Sequence, residues 1–447
     1  MWPEAQHVAF LTDAAADLVA LVRPSIERAV RTAPRHLRQV QLQHRPGAGV
    51  SMLYELSADL GGGFVGLTTE RLPDPVGDRT AAPGPDGAAG RYVQVRVPAS
   101  SYPGVEAAAG ELTVSVWDHP HDPRLPGLSV VSDPELVQAR WGRGERLTGL
   151  QTVTYRPLRR AVLRAELTTP GPVHASRRIY LKVVRSEVAD ELLLRHRLLG
   201  AARLPVPQLL DPPVTADEAE GGPAGILALT EAAGRPLSQQ IMHDGGTSLD
   251  PGLFVSLLDA LPDGVLELGR RPAWSDRLDR YAHAARTALP GAAERLRQLE
   301  ARIQAVLDTT DPGRTVPSHG DFYEANVLID GGRISGLLDV DSLGPGHRVD
   351  DYACFLGHLA VLPGVDERYL HTEEALAHFG AAFGADLARH GATGRGLWAR
   401  AAAVAVSLVA GARVPGAPRE TWEPAAYRRL QAAEDLLALA RRSGLVA

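Results

Sequence analysis

The sequence predicts an α+β fold in which a strand-rich part of the chain precedes a helical part. Alternating and apolar runs in residues 161–184, "AVLRAELTTPGPVHASRRIYLKVV", indicate paired strands. Leucines three and four positions apart in "EVADELLLRHRLLGAARL" indicate a helix after them, which Ser186 can cap. From Asp250 onward helical periodicity dominates, and residues 316–346 form one non-helical island within it.

Composition narrows the class of protein. The 447 residues are 45% hydrophobic, enough for two or three domains with real cores. A formal charge of −6 gives no overall basic field, which argues against nucleic acid as a partner. The longest apolar run, residues 401–412, is too short to span a membrane. The single cysteine, Cys354, lies in an apolar run, which predicts a buried thiol and a cytoplasmic location.

Two residue types are each reduced to one position. Of 47 basic residues, 46 are arginine and one is Lys182; the one asparagine is Asn326. Such a composition is typical of a GC-rich genome, in which lysine and asparagine codons are scarce. A residue that survives such a bias is a candidate for a site where its substitute fails.

The non-helical island carries the chemistry. "NVLIDGGRISGLLDVD" predicts a β-hairpin centred between Gly332 and Arg333, which would place Asn326 opposite Asp339. An amide oxygen and a carboxylate beside the loop carrying Asp321 would suit Mg²⁺. Asp341 is then either a second metal contact or a solvated acid at the strand end.

The order of these motifs resembles a known family. His319-Gly320-Asp321, Asn326 after four residues, "GLLDVD" and "GPGHRVDDYA" resemble the aminoglycoside phosphotransferase family, which includes choline-kinase-like enzymes. Two departures stand out: His347 replaces the usual Asp, and "FYEA" replaces the common "LHPG". The resemblance implies a two-lobed protein-kinase-like fold with a β-rich small lobe and a helical large lobe.

The resemblance also implies roles for single residues. ATP, or GTP, and Mg²⁺ would be the cofactors, and the γ-phosphate would pass to a hydroxyl of a small molecule. Asp321 would orient that hydroxyl and accept its proton, while Asn326 and Asp339 hold Mg²⁺. His319 and Asp351 would give structural support to the catalytic loop.

The predicted small lobe supplies a cation for the nucleotide phosphates. Lys182 lies in "IYLKVV", where a charge between apolar residues is costly unless it is paired. The following helix offers Glu191 and Glu187 as partners, and the family spacing favours Glu191. Either glutamate is otherwise a solvated helix residue.

Two further segments complete the predicted nucleotide site. Backbone groups of Glu231, Ala232 and Ala233 would meet the adenine in the hinge between the lobes. No glycine-rich loop is present where the first two strands turn. Arg159 and Arg160 occupy that place and are either phosphate contacts or exposed turn residues.

The chain divides into three predicted parts. Residues 146–235 form the small lobe and residues 236–447 the helical large lobe with the catalytic loop. Residues 1–145 form an extra N-terminal α/β region, which is either an accessory cap or a degenerate copy of the small lobe. Residues 41–56 align without gaps to residues 152–167 and share Arg-Pro and Glu-Leu, a match that coincidental strand patterning would also give.

The sequence leaves the acceptor open. An amino sugar, an aminoglycoside or a related metabolite fits the family, and Glu324, Glu373 and Glu374 either attract such a cation or are solvated. The alternative function is a catalytically silent kinase-like protein that binds nucleotide or a partner. A protein kinase is disfavoured, because Asp339 and Asp351 are too close for an activation segment.

Overall fold

The computed structural model describes residues 36–45, 49–57, 63–72, 92–98, 111–171, 175–210, 225–389, 391–414 and 417–443. It forms two compact units, residues 1–190 with 209–231 and residues 191–208 with 232–447. Strands dominate the first unit and helices the second, so the predicted α+β fold class is confirmed. The first 35 residues of the predicted N-terminal region lie outside the described residues.

The first unit begins with a five-stranded antiparallel sheet of order β1-β2-β3-β5-β4, called here the N-terminal sheet. Its strands are β1 (His36–Arg45), β2 (Gly49–Ser57), β3 (Gly63–Thr68), β4 (Tyr92–Pro98) and β5 (Glu111–Asp118). The indole of Trp117 packs across β3 at Gly66, where an added Cβ would lie 2.2 Å from Trp117 Cε2. Glycine is therefore required at this position by packing.

The same unit contains a second antiparallel sheet of order β6-β7-β8-β9, called here the lysine sheet. Its strands are β6 (Arg146–Arg156), β7 (Arg160–Thr168), β8 (Ser176–Val184) and β9 (Ile226–Thr230), and the helices α1 (Gly127–Val131) and α2 (Pro134–Trp141) precede it. A single bridge between Leu209 and Leu229 extends it beyond β9. Buried Leu128, Leu163 and Leu181 share one core in this region.

The first three strands of each sheet are antiparallel neighbours in chain order, and the register next to the first turn is the same in both. Arg45 pairs with Gly49 across the β1–β2 turn and Arg156 with Arg160 across the β6–β7 turn, so both partners are displaced by 111 positions. That displacement equals the offset of the gapless alignment found in the sequence. Applied to the second strand of each hairpin, the same displacement of 111 positions matches Ser51 of β2 to Val162 of β7.

The third strands can therefore be matched through the second. Ser51 of β2 pairs with Thr68, and Val162 of β7 pairs with Lys182. Thr68 thus occupies in the N-terminal sheet the register position that Lys182 occupies in the lysine sheet.

The second unit is mostly helical. Its helices are α4 (Leu237–Asp244), α5 (Gly252–Asp259), α6 (Leu278–Ala288), α7 (Ala293–Leu307), α8 (Arg348–Val361), α9 (Thr372–Arg389), α10 (Gly394–Val409) and α11 (Arg419–Ser443), while α3 (Ser186–Ala201) runs from the first unit into the second. The core lies around α8 and α10, where Cys354 is buried as predicted. None of the helices in the described part of the chain is long and apolar enough to cross a membrane.

Short strands carry the predicted catalytic island. They are β10 (Arg235–Pro236), β11 (Thr315–Ser318), β12 (Val327–Asp330), β13 (Arg333–Leu337) and β14 (Gly344–His347). β12 lies between β10 and β13 in one sheet, and β11 pairs with β14 in another. The predicted hairpin is therefore present as β12 and β13.

Candidate functional site

The register of the β12–β13 hairpin differs from the predicted one. Gly331 and Gly332 form the turn with φ of 54° and 75°, and the pairing shifts between Leu328 and Ile329. As a result Leu338, and not Asp339, follows opposite Asn326, whose carbonyl accepts a hydrogen bond from Leu338 N at 2.8 Å. The predicted pairing of Asn326 with Asp339 is wrong by one residue. The turn is centred between Gly331 and Gly332, one residue earlier than predicted, which alone would place Leu337 opposite Asn326. An extra residue in β13, Ser335, moves the pairing to Leu338.

Asp339 instead leaves the strand in a left-handed conformation, with φ 54° and ψ 58°. This backbone is costly for a residue with a side chain and persists where the surrounding structure imposes it. Asp339 precedes a 3-10 turn, residues Val340–Ser342, that contains Asp341. The chain therefore changes direction sharply at Asp339, the residue predicted to hold the metal.

Asp351 braces the loop before Asp321. It is fully buried, and its carboxylate accepts hydrogen bonds from His319 N at 3.1 Å and Gly320 N at 2.8 Å. His319 Nε2 donates to Leu338 O at 3.0 Å and so ties the loop to the end of β13. Gly320 has a φ of 76°, and a Cβ there would lie 2.6 Å from Ser342 O. These contacts give His319 and Asp351 the geometry that structural support requires.

The Asn326 side chain is oriented by the catalytic loop. Nδ2 donates to Asp321 O at 2.9 Å, and the residue is buried. Since the amide nitrogen is the donor, the amide oxygen Oδ1 is the atom that can ligate a cation. A neutral oxygen from Asn326 and a carboxylate from Asp339 fit Mg²⁺, which needs few protein ligands when nucleotide phosphates supply others. Among the described residues, no cluster of three His, Cys, Asp or Glu side chains forms a separate metal site.

The Asp321 carboxylate faces helix α8. The thiol of Cys354 lies 4.0 Å from Asp321 Oδ1, and burial raises the pKa of that thiol, with the charge of Asp321 adding to the effect. One turn further along α8, His358 Nδ1 donates to Cys354 O at 2.9 Å. Burial lowers the pKa of His358 to about 4, so its ring is neutral near pH 7.

Four aromatic side chains, called here the aromatic wall, extend from this point: Trp274, Tyr281, Tyr323 and His358. Tyr323 stacks on His358 at 4.1 Å between ring centroids, and Trp274 meets His358 edge-on at 5.8 Å. Trp274 also stacks with Tyr281 at 5.4 Å. All four side chains are half-buried, so each keeps some accessible surface.

The wall lies near the carboxylates predicted to take part in catalysis. Burial chiefly raises the pKa of Tyr323, with contributions from the charges of Asp321, Glu324 and Asp339. Burial likewise raises the pKa of Tyr281, and the charge of Asp321 contributes. Cys354 Sγ contacts both Asp321 Oδ1 at 4.0 Å and His358 Nδ1 of the wall at 3.6 Å, so the wall lies near the predicted base.

Glu324 does not provide an exposed acidic surface. Its side chain is buried, and Oε2 forms no hydrogen bond with the described residues. Burial raises its pKa to about 7, with a smaller effect from the Asp321 charge. Glu373 and Glu374 are exposed in the first turn of α9. The three acidic residues that could attract a cation thus differ in exposure: Glu324 is buried and partly neutral at pH 7, whereas Glu373 and Glu374 are exposed.

Lys182 occupies the middle of the lysine sheet. It pairs with Val162 of β7 and with Leu227 of β9, and its neighbours Leu181 and Val183 are fully buried. Lys182 itself is only 7% exposed. A lysine this buried has a demanding environment, because an ammonium group removed from water must be compensated.

The two glutamates of α3 have different surroundings. Glu191 accepts hydrogen bonds from Arg195 Nη2 at 2.6 Å and from Arg271 Nη2 at 3.1 Å. Glu187 lies 3.5 Å from Arg185 Nη1 and is largely exposed. Glu191 is therefore the glutamate built into a network, and it belongs to the second unit while Lys182 belongs to the first.

Arg195 is a residue that the sequence did not single out. It is 1% exposed, and its Nε donates to Leu343 O at 2.8 Å, four residues after Asp339. Burial lowers its pKa, while the charges of Glu191 and Asp341 oppose that effect. The one sequence signal was its spacing of four from Glu191, which is common on solvated helices.

The predicted hinge lies where the two compact units meet in sequence, between Glu231 and Ala232. The side chain of Glu231 accepts hydrogen bonds from Arg178 Nη1 at 3.2 Å and from Tyr180 OH at 3.4 Å. Ala233 O accepts a hydrogen bond from Ser335 Oγ at 2.7 Å. That carbonyl is already engaged by β13.

An Asp on a braced loop, an oriented Asn and an Asp in a strained turn are the residue types that phosphotransfer uses for its base and its metal. A match to the model of the phosphotransferase enzyme family (APH) covers residues 173–403, more than half of the chain. The chain therefore belongs to the phosphotransferase enzyme family. The predicted family resemblance is confirmed. A comparison with curated protein sequences finds no match.

Several solved structures are similar to this chain at low identity. The aminoglycoside phosphotransferase APH(4)-Ia, as a thermostable mutant without ligand, is 16% identical over 66% of this chain and 95% of that chain, with a TM-score of 0.43. The macrolide 2'-phosphotransferase MphH from Brachybacterium faecium is 16% identical over 69% and 97%, with a TM-score of 0.37. Spectinomycin phosphotransferase APH(9)-Ia in complex with ADP and spectinomycin is 11% identical over 68% and 96%, with a TM-score of 0.43.

Proposed function

We propose that this protein transfers the γ-phosphate of ATP, with Mg²⁺, to a hydroxyl group of a small molecule. Membership of the phosphotransferase enzyme family supports the reaction class. The observation that carries the proposal is the loop from His319 to Asp339, in which buried contacts hold Asp321, Asn326 and Asp339 in one segment. A family member without activity would have no need to maintain this segment together with a buried Lys182.

Each residue has a separate task on the donor side. Lys182 binds the α- and β-phosphates, and Glu191 supports the phosphate-binding side of the site through its arginine network. Asn326 Oδ1 and the Asp339 carboxylate hold Mg²⁺, which when bound neutralises the charge on the phosphates. Backbone groups of residues 231–233 meet the adenine. The Ala233 carbonyl already accepts one hydrogen bond from Ser335, which leaves one lone pair for such a contact.

On the acceptor side, Asp321 orients the hydroxyl and accepts its proton as the oxygen attacks the γ-phosphorus and ADP leaves. Burial raises the pKa of the Cys354 thiol, which therefore stays protonated and can donate a weak hydrogen bond to Asp321 Oδ1 at 4.0 Å. His319 and Asp351 keep the loop in place without contacting the substrates.

The aromatic wall favours an acceptor with a flat apolar face, such as a sugar ring, that stacks on Trp274 or Tyr323. Aromatic side chains bind such faces through a large apolar contact area. The Arg277 guanidinium lies 5.4 Å from the centroids of both Trp274 and Tyr281. Because a cation already contacts these two rings, a neutral or singly charged ring compound fits better than a polycationic aminoglycoside.

The test is acceptor-dependent ADP release from MgATP over a panel of neutral glycosides, amino sugars, aminoglycosides, choline and homoserine. We expect turnover with a ring acceptor, and a loss of about 10²–10⁴-fold in Asp321→Asn, because the hydroxyl loses its proton acceptor. Unchanged activity in Asp321→Asn would overturn the catalytic assignment. Binding of MgATP without any turnover would favour the silent kinase-like alternative.

The same panel tests the wall. Trp274→Ala should raise the KM of the acceptor about tenfold and leave the KM of MgATP unchanged, because a stacked aromatic contact is lost on one side only. Trp274→Phe should restore most of the affinity. An acceptor KM that is unchanged in Trp274→Ala would remove the wall from the acceptor site.

A further inference from the structure

The turn between β6 and β7 differs from the loop that covers nucleotide phosphates in kinases. A kinase uses a mobile glycine-rich loop between its first two strands. Here residues 157–159 are Pro-Leu-Arg, with no glycine in the turn. Leu158 nonetheless has a φ of 62°, a conformation that favours glycine. Some contact must impose this backbone on a leucine.

The Leu158 side chain supplies the apolar part of that contact. It is 1% exposed and packs with Leu72 and Trp117 in one buried cluster. Trp117 belongs to β5 of the N-terminal sheet, and Leu72 follows β3. The tip of the β6–β7 turn is therefore inserted into the N-terminal sheet region and does not project into solvent.

A buried polar network supplies the rest. Trp117 Nε1 donates to Tyr155 OH at 3.1 Å, and Tyr155 OH donates to Asp122 Oδ2 at 2.7 Å. The same Asp122 oxygen accepts a hydrogen bond from Leu158 N at 2.8 Å. Arg124 N donates to the other oxygen at 2.8 Å. Asp122 is 1% exposed, so removal of these bonds would leave a carboxylate unsatisfied in the interior.

We propose that the N-terminal sheet is a second small-lobe sheet without a phosphate cation, and that it clamps the β6–β7 turn in place over the nucleotide phosphates. Leu158, Tyr155 and Asp122 are then positioning residues, and the clamp replaces a flexible glycine loop with a fixed one. The part of this inference that concerns nucleotide rests on the proposed function.

The register of the sheets supports the first half of the proposal. Thr68 stands where Lys182 stands in the other sheet, and it is also buried. Its hydroxyl bonds to Ser51 Oγ at 2.9 Å, and Glu70 N donates to it at 3.0 Å. The Thr68 hydroxyl is therefore hydrogen-bonded within its own region of the chain. It carries no positive charge, whereas a phosphate site requires a cation at this position.

The experiment combines hydrogen–deuterium exchange of the full chain with the KM for MgATP in basal ATP turnover. Tyr155→Phe removes the hydroxyl at the centre of the network. We expect exchange in residues 156–160 to accelerate about tenfold, because one buried hydrogen bond stabilises the closed turn by roughly that factor. The KM for MgATP should rise by a similar factor, with little change in kcat.

Tyr54→Phe is the matched control. It removes another buried hydroxyl from the N-terminal sheet. This hydroxyl donates to Met52 Sδ at 3.7 Å, a contact outside the network of Asp122, Tyr155 and Trp117. Tyr54→Phe should leave both the exchange of residues 156–160 and the KM for MgATP unchanged. Asp122→Asn, which keeps an oxygen for Leu158 N, should give a smaller effect than Tyr155→Phe and serves if the latter does not fold.

The outcomes separate the clamp from the proposed function. Unchanged exchange of residues 156–160 in Tyr155→Phe and Asp122→Asn would overturn the clamp, as would equal acceleration in Tyr54→Phe. Faster exchange with an unchanged KM would show that the turn does not cover the phosphates and would also overturn the proposal. If wild type neither binds nor turns over MgATP, the proposed function fails, while the exchange data still decide whether the N-terminal sheet holds the turn.

Discussion

The first three strands of the two sheets in the first unit have the same order and the same register next to the first turn, yet the residues at the matched position of the third strand differ. The lysine sheet buries Lys182 between fully buried Leu181 and Val183. The N-terminal sheet buries Thr68, whose hydroxyl is bonded within the sheet. β3 has no charged residue, whereas β8 places Lys182 at the matched position, so a similar strand arrangement is not sufficient for the proposed phosphate site.

The sheets also differ in what they hold. In the N-terminal sheet, Trp117 occupies the space above Gly66 and reaches Tyr155 of the other sheet. The lysine sheet receives that contact at Tyr155, near the end of β6 and next to the turn that replaces the glycine-rich loop of kinases. Under the two proposals, the lysine sheet supplies the phosphate cation and the N-terminal sheet holds the turn. Changes at Lys182 and at Gly66, each with a matched control, test this division.

The largest effect is expected at the matched central position. Lys182→Met should reduce kcat/KM for MgATP by about 10²–10³-fold, because it removes a preorganised cation from the phosphates. Lys182→Arg should recover little, since a planar guanidinium differs in bulk and geometry from an ammonium. ADP release is the measurement.

Thr68→Val is the control at the equivalent register position. It should leave kcat/KM unchanged and cost about 1 kcal/mol of unfolding free energy through lost hydrogen bonds. A comparable loss of activity in Thr68→Val would show that the two sheets share the nucleotide function, and the comparison would fail.

A smaller effect, on stability, is expected at the contact between strand and indole. Gly66→Ala should lower the unfolding free energy by about 3 kcal/mol, because the new Cβ would lie 2.2 Å from Trp117. Gly149→Ala in β6 is the matched change, since its Cβ would sit 3.6 Å from Glu166 in ordinary contact. Denaturant unfolding of both variants measures the difference, and equal values would contradict the packing argument.

The smallest effect concerns pH. Burial lowers the pKa of His119 to about 4. The charge of Asp118 opposes this shift, and His121 adds to it. The unfolded chain therefore binds this proton at higher pH than the folded one, and stability falls as pH drops from about 6.5 to 4. The expected loss is about 2 kcal/mol after allowance for partial exposure. In His119→Phe this part of the pH dependence should disappear; an unchanged slope would exclude His119 as its source.

Local sequence patterns predicted several elements of the fold. The alternation around Lys182 and the leucine spacing after Ser186 predicted β8 and α3, and the structure has both. The Gly331-Gly332 turn predicted the catalytic hairpin. The motif order predicted the family. These features depend on residues close in sequence, whose preferences act without the rest of the chain.

The features that the sequence did not predict depend mainly on contacts between residues far apart in the chain. The hairpin turn is centred one residue earlier than predicted, and Ser335 is an extra residue in β13; periodicity detects neither feature. Glu191 meets Arg271, 80 positions away, and Asp122 meets Leu158, 36 positions away. The aromatic wall likewise assembles from three separate segments, so no single stretch of sequence identified it. The predicted domain division, the roles of the site residues and the cytoplasmic location stay predictions.

The most direct measurement of the central claim is the binding of MgATP, followed as the thermal shift of wild type, Asp339→Ala and Thr68→Val. The account predicts that MgATP stabilises wild type and Thr68→Val equally. In Asp339→Ala, the part of the stabilisation that depends on Mg²⁺ should be lost, because one of two metal ligands is gone. An absence of stabilisation in wild type, or full Mg²⁺-dependent stabilisation in Asp339→Ala, would contradict it.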